Sequence, residues 1–190
     1  MRDKLIIAGS RSLNPTIAQL SRLITEPPSL VICGCADGVD KAGYAWARHC
    51  SVPVEFFPAW PAQREWALGC ALTSEKVHPC PSTRDRSAGY IRNEAMSKAA
   101  TSAVLLWTGE SPGTKLMLDI CRRLGLPYKV QVCLSIGDTV RPLTGRGGPW
   151  VVQSLGAQAA LWGPDGEVAI FESGEFMAVE KLRKVTDVGR

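Results

Sequence analysis

Short blocks of apolar residues alternate along this chain with stretches in which apolar positions recur every three or four residues. KLIIAG at 4–9, SLVICG at 29–34, VPVEFFP at 52–58, TSAVLLWTG at 101–109 and PYKVQVCL at 127–134 have the length and the Gly or Pro punctuation of buried strands. Between the first two, TIAQLSRLI at 16–24 sets Ile17, Leu20, Leu23 and Ile24 on one helical face, and Pro27 and Pro28 stop it. Asn14 before Pro15 predicts its start, Asn as the cap and Pro as the first helical residue. KAGYAWARHC at 41–50, GYIRNEAMSKAA at 89–100 and a segment from Lys115 to Leu124 supply further helices, the last closed by Gly125 as a left-handed cap. Strand and helix alternate, which predicts an α/β protein built on a doubly wound parallel sheet.

Two regions leave this rhythm. Residues 61–88, PAQREWALGCALTSEKVHPCPSTRDRSA, are far longer than an ordinary connection and mix Pro, Ser, Thr and charge, so they are expected to form a lid or insertion. From Gly137 onward, short strand-like runs are cut by GRGGP, GPDG and ESGE, the pattern of a small antiparallel barrel or sheet. The expected division is therefore 1–134 and 137–190.

Composition narrows the class. With 190 residues, 45% hydrophobic and 21% charged, the chain buries a real core, and no apolar run approaches the length of a membrane span. The odd count of seven cysteines fits reduced thiols in a cytoplasmic protein better than a disulfide framework. Cys70, His78 and Cys80 are the nearest approach to a metal set; they are expected to be packing or loop residues, and no metal site is predicted. The net charge of +4 permits anionic ligands, while the absence of any basic run makes a nucleic-acid tail unexpected.

The chemistry is expected where helices start after strands: GSRSLNP, GCADGVDK and TGESPGTK. Such starts share one edge of a parallel sheet, where unpaired amides and the helix dipole attract an anion and Gly lets it reach the backbone. Asp37 and Asp40 either cap a helix or accept hydrogen bonds from ribose hydroxyls or a base. Arg92, placed in the first turn of its predicted helix beside a stripe of Ile91, Ala95, Met96 and Ala99, needs an anionic partner there. A phosphate meets that need, and so does a salt bridge to Asp37 or Asp40. The G-x-G-x-x-G fingerprint and the P-loop are both absent, and no resident cofactor is expected.

Taken in order, GSRS at 9–12, CGCADGVD at 33–40, FPAW at 57–60, AGYIRNEAM at 88–96 and LLWTGESPGT at 105–114 resemble the motifs of the SLOG superfamily, most closely its YspA-like branch. The resemblance covers about residues 3–134. It implies a Rossmann-like domain that binds a nucleotide or nucleotide-derived ligand through Gly9, Ser10, Arg11, Gly34, Asp37, Gly38, Asp40, Arg92, Asn93, Gly113 and Thr114, and it implies a homo-oligomer. The chain departs from that branch in having Cys35 where a second Gly is usual, and in its long 61–88 segment. Related phosphoribohydrolases place a Glu where this chain has Met117, so the acid or base for glycosidic cleavage is missing at that position. GDTVRPLTGRGGPWVV, from Gly137, resembles the opening of small SH3-like barrel proteins, with Trp150 and Trp162 as expected core.

Three functions follow. The first is a sensor, carrier or sequestering protein for an ADP-ribose-like or cyclic nucleotide signal. The second is a hydrolase cleaving an N-glycosidic or phosphoester bond, with Asp37, Asp40 and Glu94 as its candidate carboxylates. The third is a single-stranded DNA binder, since the DprA-like branch of the superfamily engages such DNA; the aromatic and basic stripe this needs is thin, with Arg84, Arg86 and Tyr90 as its members.

Overall fold

A computed structural model describes residues 3–81 and 87–133, and the backbone of five further strands between 139 and 184. The elements up to residue 132 are β1 (Lys4–Gly9), α1 (Ile17–Leu23), β2 (Leu30–Cys33), α2 (Val39–His49), β3 (Val54–Phe56), α3 (Pro61–Cys70), α4 (Ser87–Ala99), β4 (Ser102–Trp107), α5 (Pro112–Leu124) and β5 (Tyr128–Val132). The strands form one sheet in the order β3-β2-β1-β4-β5, with β1 parallel to both β2 and β4 and β2 parallel to β3. This is the doubly wound, Rossmann-like α/β fold that the apolar blocks predict.

The order places the reversal of chain direction between β1 and β4. Right-handed crossovers step outward to β2 and β3 on one side and to β5 on the other, which puts α1 and α2 on one face and α4 and α5 on the opposite one. The two pairs pack accordingly, α1 on α2 and α4 on α5. Ile6, Ile7, Ile32, Val54 and Leu105 are fully buried in the sheet, each removing apolar surface worth roughly 1.5–3 kcal/mol.

Helix boundaries differ from the sequence reading in instructive ways. Thr16, not Asn14, caps α1: its hydroxyl accepts from the Gln19 amide at 3.2 Å, and Gln19 Oε1 takes the Thr16 amide at 2.8 Å. This capping box ties two backbone donors at once, which Asn14 before Pro15 has no partner to do. At the other end of the unit, Gly125 does close α5 in the left-handed conformation, at φ 65°. Helix α4 begins at Ser87, so Arg92 is its sixth residue and lies beyond the first turn, where the dipole acts most strongly. Its buried face is Ala88, Asn93, Met96 and Ser97, whereas Ile91 and Ala95 are exposed, contrary to the expected stripe.

Within the segment expected as a lid or insertion, residues 61–81 carry a helix and return to the sheet edge. Pro61 opens helix α3, and Trp66 meets Tyr44 and Phe56 edge-on at 5.3 and 6.1 Å between ring centres. The chain then returns to the edge strand, where Phe56 bridges to Val77 and His78 donates its amide to the Phe56 carbonyl at 2.9 Å. His78 also stacks on Phe57 at 3.9 Å and approaches Glu55 at 2.6 Å. The anchor is Glu75, whose carboxylate is paired with Arg48 and accepts the Val54 and Leu72 amides at 2.7 and 2.9 Å. Residues 82–86, which include Arg84 and Arg86, lie outside the described residues.

A division into compact units separates Met1–Leu106 with Ser111–Lys129 from Trp107–Glu110 with Val130–Arg190. In the second unit, β6 (Thr139–Pro142), β7 (Trp150–Ser154), β8 (Gln158–Trp162), β9 (Val168–Glu172) and β10 (Leu182–Lys184) form an antiparallel sheet in the order β10-β6-β7-β8-β9. The expected barrel closure and the packing of Trp150 and Trp162 rest on residues and side chains outside those described.

Glu75 generates a prediction. Burial works to raise its carboxyl, but hydrogen bonds from Arg48, Leu72 and Val54 overcome this and hold it below the ordinary value of 4.5. A depressed folded value means stabilisation that is complete above about pH 4.5 and lost as the pH falls through the lower folded value. Glu75→Gln leaves Arg48 without its carboxylate, and is expected to lower stability by roughly 2–4 kcal/mol at neutral pH in denaturant unfolding. The difference from wild type should shrink on acidification.

Candidate functional site

Because the strands are parallel, their C-terminal ends share one edge, and the starts of α2 and α5 open there. Neither start is capped by a side chain: Gly38 has none, and Ser111 makes no side-chain capping bond. Gly9 ends β1 so close to its neighbours that a Cβ would lie 2.8 Å from Val39 Cγ2, and the buried Ser10 donates its amide to Leu106 at 2.9 Å. Gly38, at φ 76° and ψ −124°, occupies a region that essentially only glycine enters, and a Cβ on it would also lie 2.7 Å from the Ser10 carbonyl oxygen. The loops after β1 and β2 therefore touch through glycine backbones.

One guanidinium joins these loops to the helices. Arg92, whose side chain is 12% exposed, donates Nη1 to the Gly34 carbonyl and Nε to Asn93 Oδ1 at 2.9 Å, and lies 3.7 Å from Asp40 Oδ2. Asn93 in turn reaches the Gly113 carbonyl at the start of α5 at 3.4 Å. Gly34 is glycine because a Cβ there would sit 2.5 Å from Arg92 Nη1 and 2.6 Å from Asp40 Oδ2. Of the two partners that sequence left open for Arg92, the salt bridge is present, and it goes to Asp40. Nη2 donates to none of the described residues.

The two aspartates diverge. Asp40 is buried and accepts the Ala36 amide at 3.2 Å; burial pushes its carboxyl up, and Arg92, the Ala36 and Gly9 amides and Arg11 offset only part of this. Asp37 is exposed and pairs with Lys41 at 2.7 Å; that hydrogen bond and charge, with Arg11 adding to them, hold its carboxyl below the usual value. Arg11 is exposed on the β1 loop, with its charge acting on both aspartates. Thr114 is buried and donates its hydroxyl to Ser111 at 3.1 Å, while Gly113 has open space where a side chain would go.

The structure thus brings Gly9, Ser10, Arg11, Gly34, Asp37, Gly38, Asp40, Arg92, Asn93, Gly113 and Thr114 to one edge. Glu94 is not joined to the aspartates; its carboxylate is paired with Arg123 near the end of α5. Met117 is buried and takes the Ser97 hydroxyl at 3.3 Å, inside the packing of α4 on α5. Asp119 is exposed and paired with Lys115 at 3.1 Å. Sequence reasoning missed the part of Asn93 as the link to α5; the spacing of Asn93 and Ser97, four residues apart on one helix, was the available signal. Among the described residues, no group of three His, Cys, Asp or Glu side chains is arranged to hold a metal ion. A cavity of about 320 Å³, lined by Leu5, Ile24, Ser102 and Tyr128 among others, lies at the opposite edge, where the strands begin.

No family model matches the chain, and no curated protein matches it in sequence. In structure it is similar to DNA processing protein A (DprA) from Streptococcus pneumoniae, with a TM-score of 0.53 and 12% identity. The likeness covers 68% of this chain and 50% of that one, so the chain spans about half the length of its structural relative. A likeness at that identity establishes the Rossmann-like α/β fold alone. No helix among the described residues is long and apolar enough to cross a membrane.

Two glycines separate architecture from chemistry. Gly38→Ala forces a side chain into a glycine-only conformation against the 10–11 backbone, and is expected to cost at least ~1–3 kcal/mol in thermal or denaturant unfolding. Gly113→Ala meets nothing within 4 Å and should unfold at the wild-type midpoint or slightly above it.

Proposed function

We propose that this protein binds a nucleotide or nucleotide-derived ligand, of the ADP-ribose or cyclic nucleotide type, and holds it intact as a sensor, carrier or sequestering protein. The observation that carries the reading is the pair of helix N-termini without side-chain caps, α2 and α5, opening on the same sheet edge and tied together through Arg92 and Asn93. Their first-turn amides and dipoles suit phosphate, and the open α-carbon face of Gly113 lets an oxygen approach the backbone. Arg11 supplies the exposed cation. Arg92 supplies Nη2 from a guanidinium already fixed by Gly34, Asn93 and Asp40, so little side-chain freedom is lost on binding. Asp37 and Asp40 then lie toward the sugar or base.

Intact binding is favoured over turnover because position 117 is a buried thioether, which moves no proton, and because Glu94 is engaged by Arg123. The same proposal takes in the YspA-like branch, an SH3-like barrel over 137–190, and a homo-oligomeric cytoplasmic protein. A second reading, single-stranded DNA binding, is favoured by the structural likeness to a DNA processing protein.

The test begins with mass spectrometry of small molecules released by heating the purified protein, followed by calorimetry with the compound identified and with ADP-ribose and cyclic nucleotides. A released intact nucleotide is expected. Arg92→Ala is expected to weaken its binding by about tenfold to more than a hundredfold, the loss of a charge-assisted hydrogen bond of roughly 1.5–3 kcal/mol. Gly113→Ala should weaken binding without loss of stability. Release of a base with a sugar phosphate would place the protein among hydrolases. Failure to bind any nucleotide, together with salt-dependent binding of an oligonucleotide, would establish the DNA reading instead.

A further inference from the structure

Cys33 and Cys35 stand on either side of Gly34, and each is 1% exposed. The Cys35 amide donates to Cys33 Sγ at 3.4 Å, Cys33 Sγ approaches the Asp40 carbonyl at 3.5 Å, and Cys35 Sγ approaches the Cys33 carbonyl at 3.6 Å. Hydrogen bonding with the Cys35 thiol, followed by burial, pushes the Cys33 thiol well above its ordinary value. Each thiol therefore lies against the other residue's backbone, inside the loop that forms the candidate site.

The backbone at this point is strained. Cys35 has φ 63°, a left-handed conformation that crowds a residue with a Cβ and that glycine takes at no steric cost. Ser51, the other such non-glycine residue among those described, closes the turn after α2. A backbone outlier within a site loop, at a residue whose thiol lies against the Cys33 carbonyl, is where strain points to function.

We propose that Cys33 and Cys35 are a dithiol modification site, which a low-molecular-weight disulfide of the glutathione class oxidises to an intraloop Cys33–Cys35 disulfide that weakens ligand binding. The Cys35 thiolate attacks one sulphur of the small disulfide, forming a mixed disulfide and expelling one small thiolate. Cys33 then attacks the Cys35 sulphur and expels the second. The protein gives up two electrons and two protons, and two small thiols leave. Burial of both sulphurs means that the loop must open first, so the exchange is slow and bound ligand protects against it.

Ring closure acts on the site through Gly34. Cys33 must leave the Cys35 amide and the Asp40 carbonyl, and the ring turns the Gly34 peptide lying between its two cysteines. Gly34 has no room to turn without displacing Arg92 Nη1 and Asp40 Oδ2, the atoms packed on its α-carbon. Arg92 then loses the carbonyl it holds. The effect on affinity rests on the nucleotide-binding reading; formation of the disulfide does not.

The full chain is reduced, equilibrated in glutathione buffers from fully reduced to fully oxidised, alkylated and digested with trypsin. The peptide from Leu23 to Lys41 contains Cys33 and Cys35 and no other cysteine. In oxidised buffer it is expected unalkylated and lighter by the two thiol hydrogens, and nucleotide affinity is expected to fall roughly tenfold or more. Cys35→Gly removes the strain, and is expected to fold, to bind nucleotide and to ignore oxidised glutathione. Both cysteines remaining alkylated in oxidised buffer, or Cys35 pairing with a cysteine other than Cys33, overturns the proposal. Equal nucleotide affinity of the oxidised and reduced forms overturns the regulatory effect. If the reduced protein binds no nucleotide, the functional reading fails by itself, and hydrogen exchange of the 34–40 amides decides: faster exchange in the oxidised form sustains the switch, and unchanged exchange ends it.

Discussion

The guanidinium of Arg92 is the constraint on which the site depends. It holds the Gly34 carbonyl of the β2–α2 loop, orients Asn93 toward the start of α5, and faces the buried Asp40 at 3.7 Å. These groups come from opposite faces of the sheet, since α2 and α4 lie on different sides. A cation at the C-terminal edge between β1 and β4 thus fastens the place where the winding reverses, which is where open α/β sheets bind their ligands.

The arrangement costs stability. Asp40 is buried with its carboxyl pushed up, so its ionised form is disfavoured by burial, and Arg92 and nearby amides offset this only partly. Cys35 adds backbone strain, and the α2 and α5 starts forgo side-chain caps that α1 has in full. Helix α1 satisfies its amides with a capping box, whereas α2, α3 and α5 have no side-chain cap, and of these α2 and α5 start at the crevice.

Sequence made the sheet legible because β1, β2 and β4 are nearly uniform apolar blocks, and a strand buried on both faces reads that way. It misplaced the inner face of α4 because that face carries Asn93 and Ser97, polar residues satisfied by Gly113 and Met117 on α5, while Ile91 faces out. Helix α3 was hidden because Ala67 is its one buried residue and its anchoring falls to Trp66 and to the Arg48–Glu75 pair, contacts distant in sequence. Of the site, the glycine turns and the choice between phosphate and carboxylate for Arg92 were readable. The link through Asn93 was signalled only by its four-residue spacing from Ser97, because it depends on how two helices far apart in sequence pack.

The most direct measurement is amide chemical-shift mapping of isotopically labelled protein titrated with ADP-ribose and with the nucleotide recovered from the purified protein. The account requires saturable shifts concentrated at Ser10–Arg11, Gly34–Asp40 and Gly113–Lys115, with the Arg92 side-chain signals moving in step. Saturable binding that leaves those amides unmoved and shifts residues at the opposite strand edge, around Leu5, Ile24 and Tyr128, would contradict it.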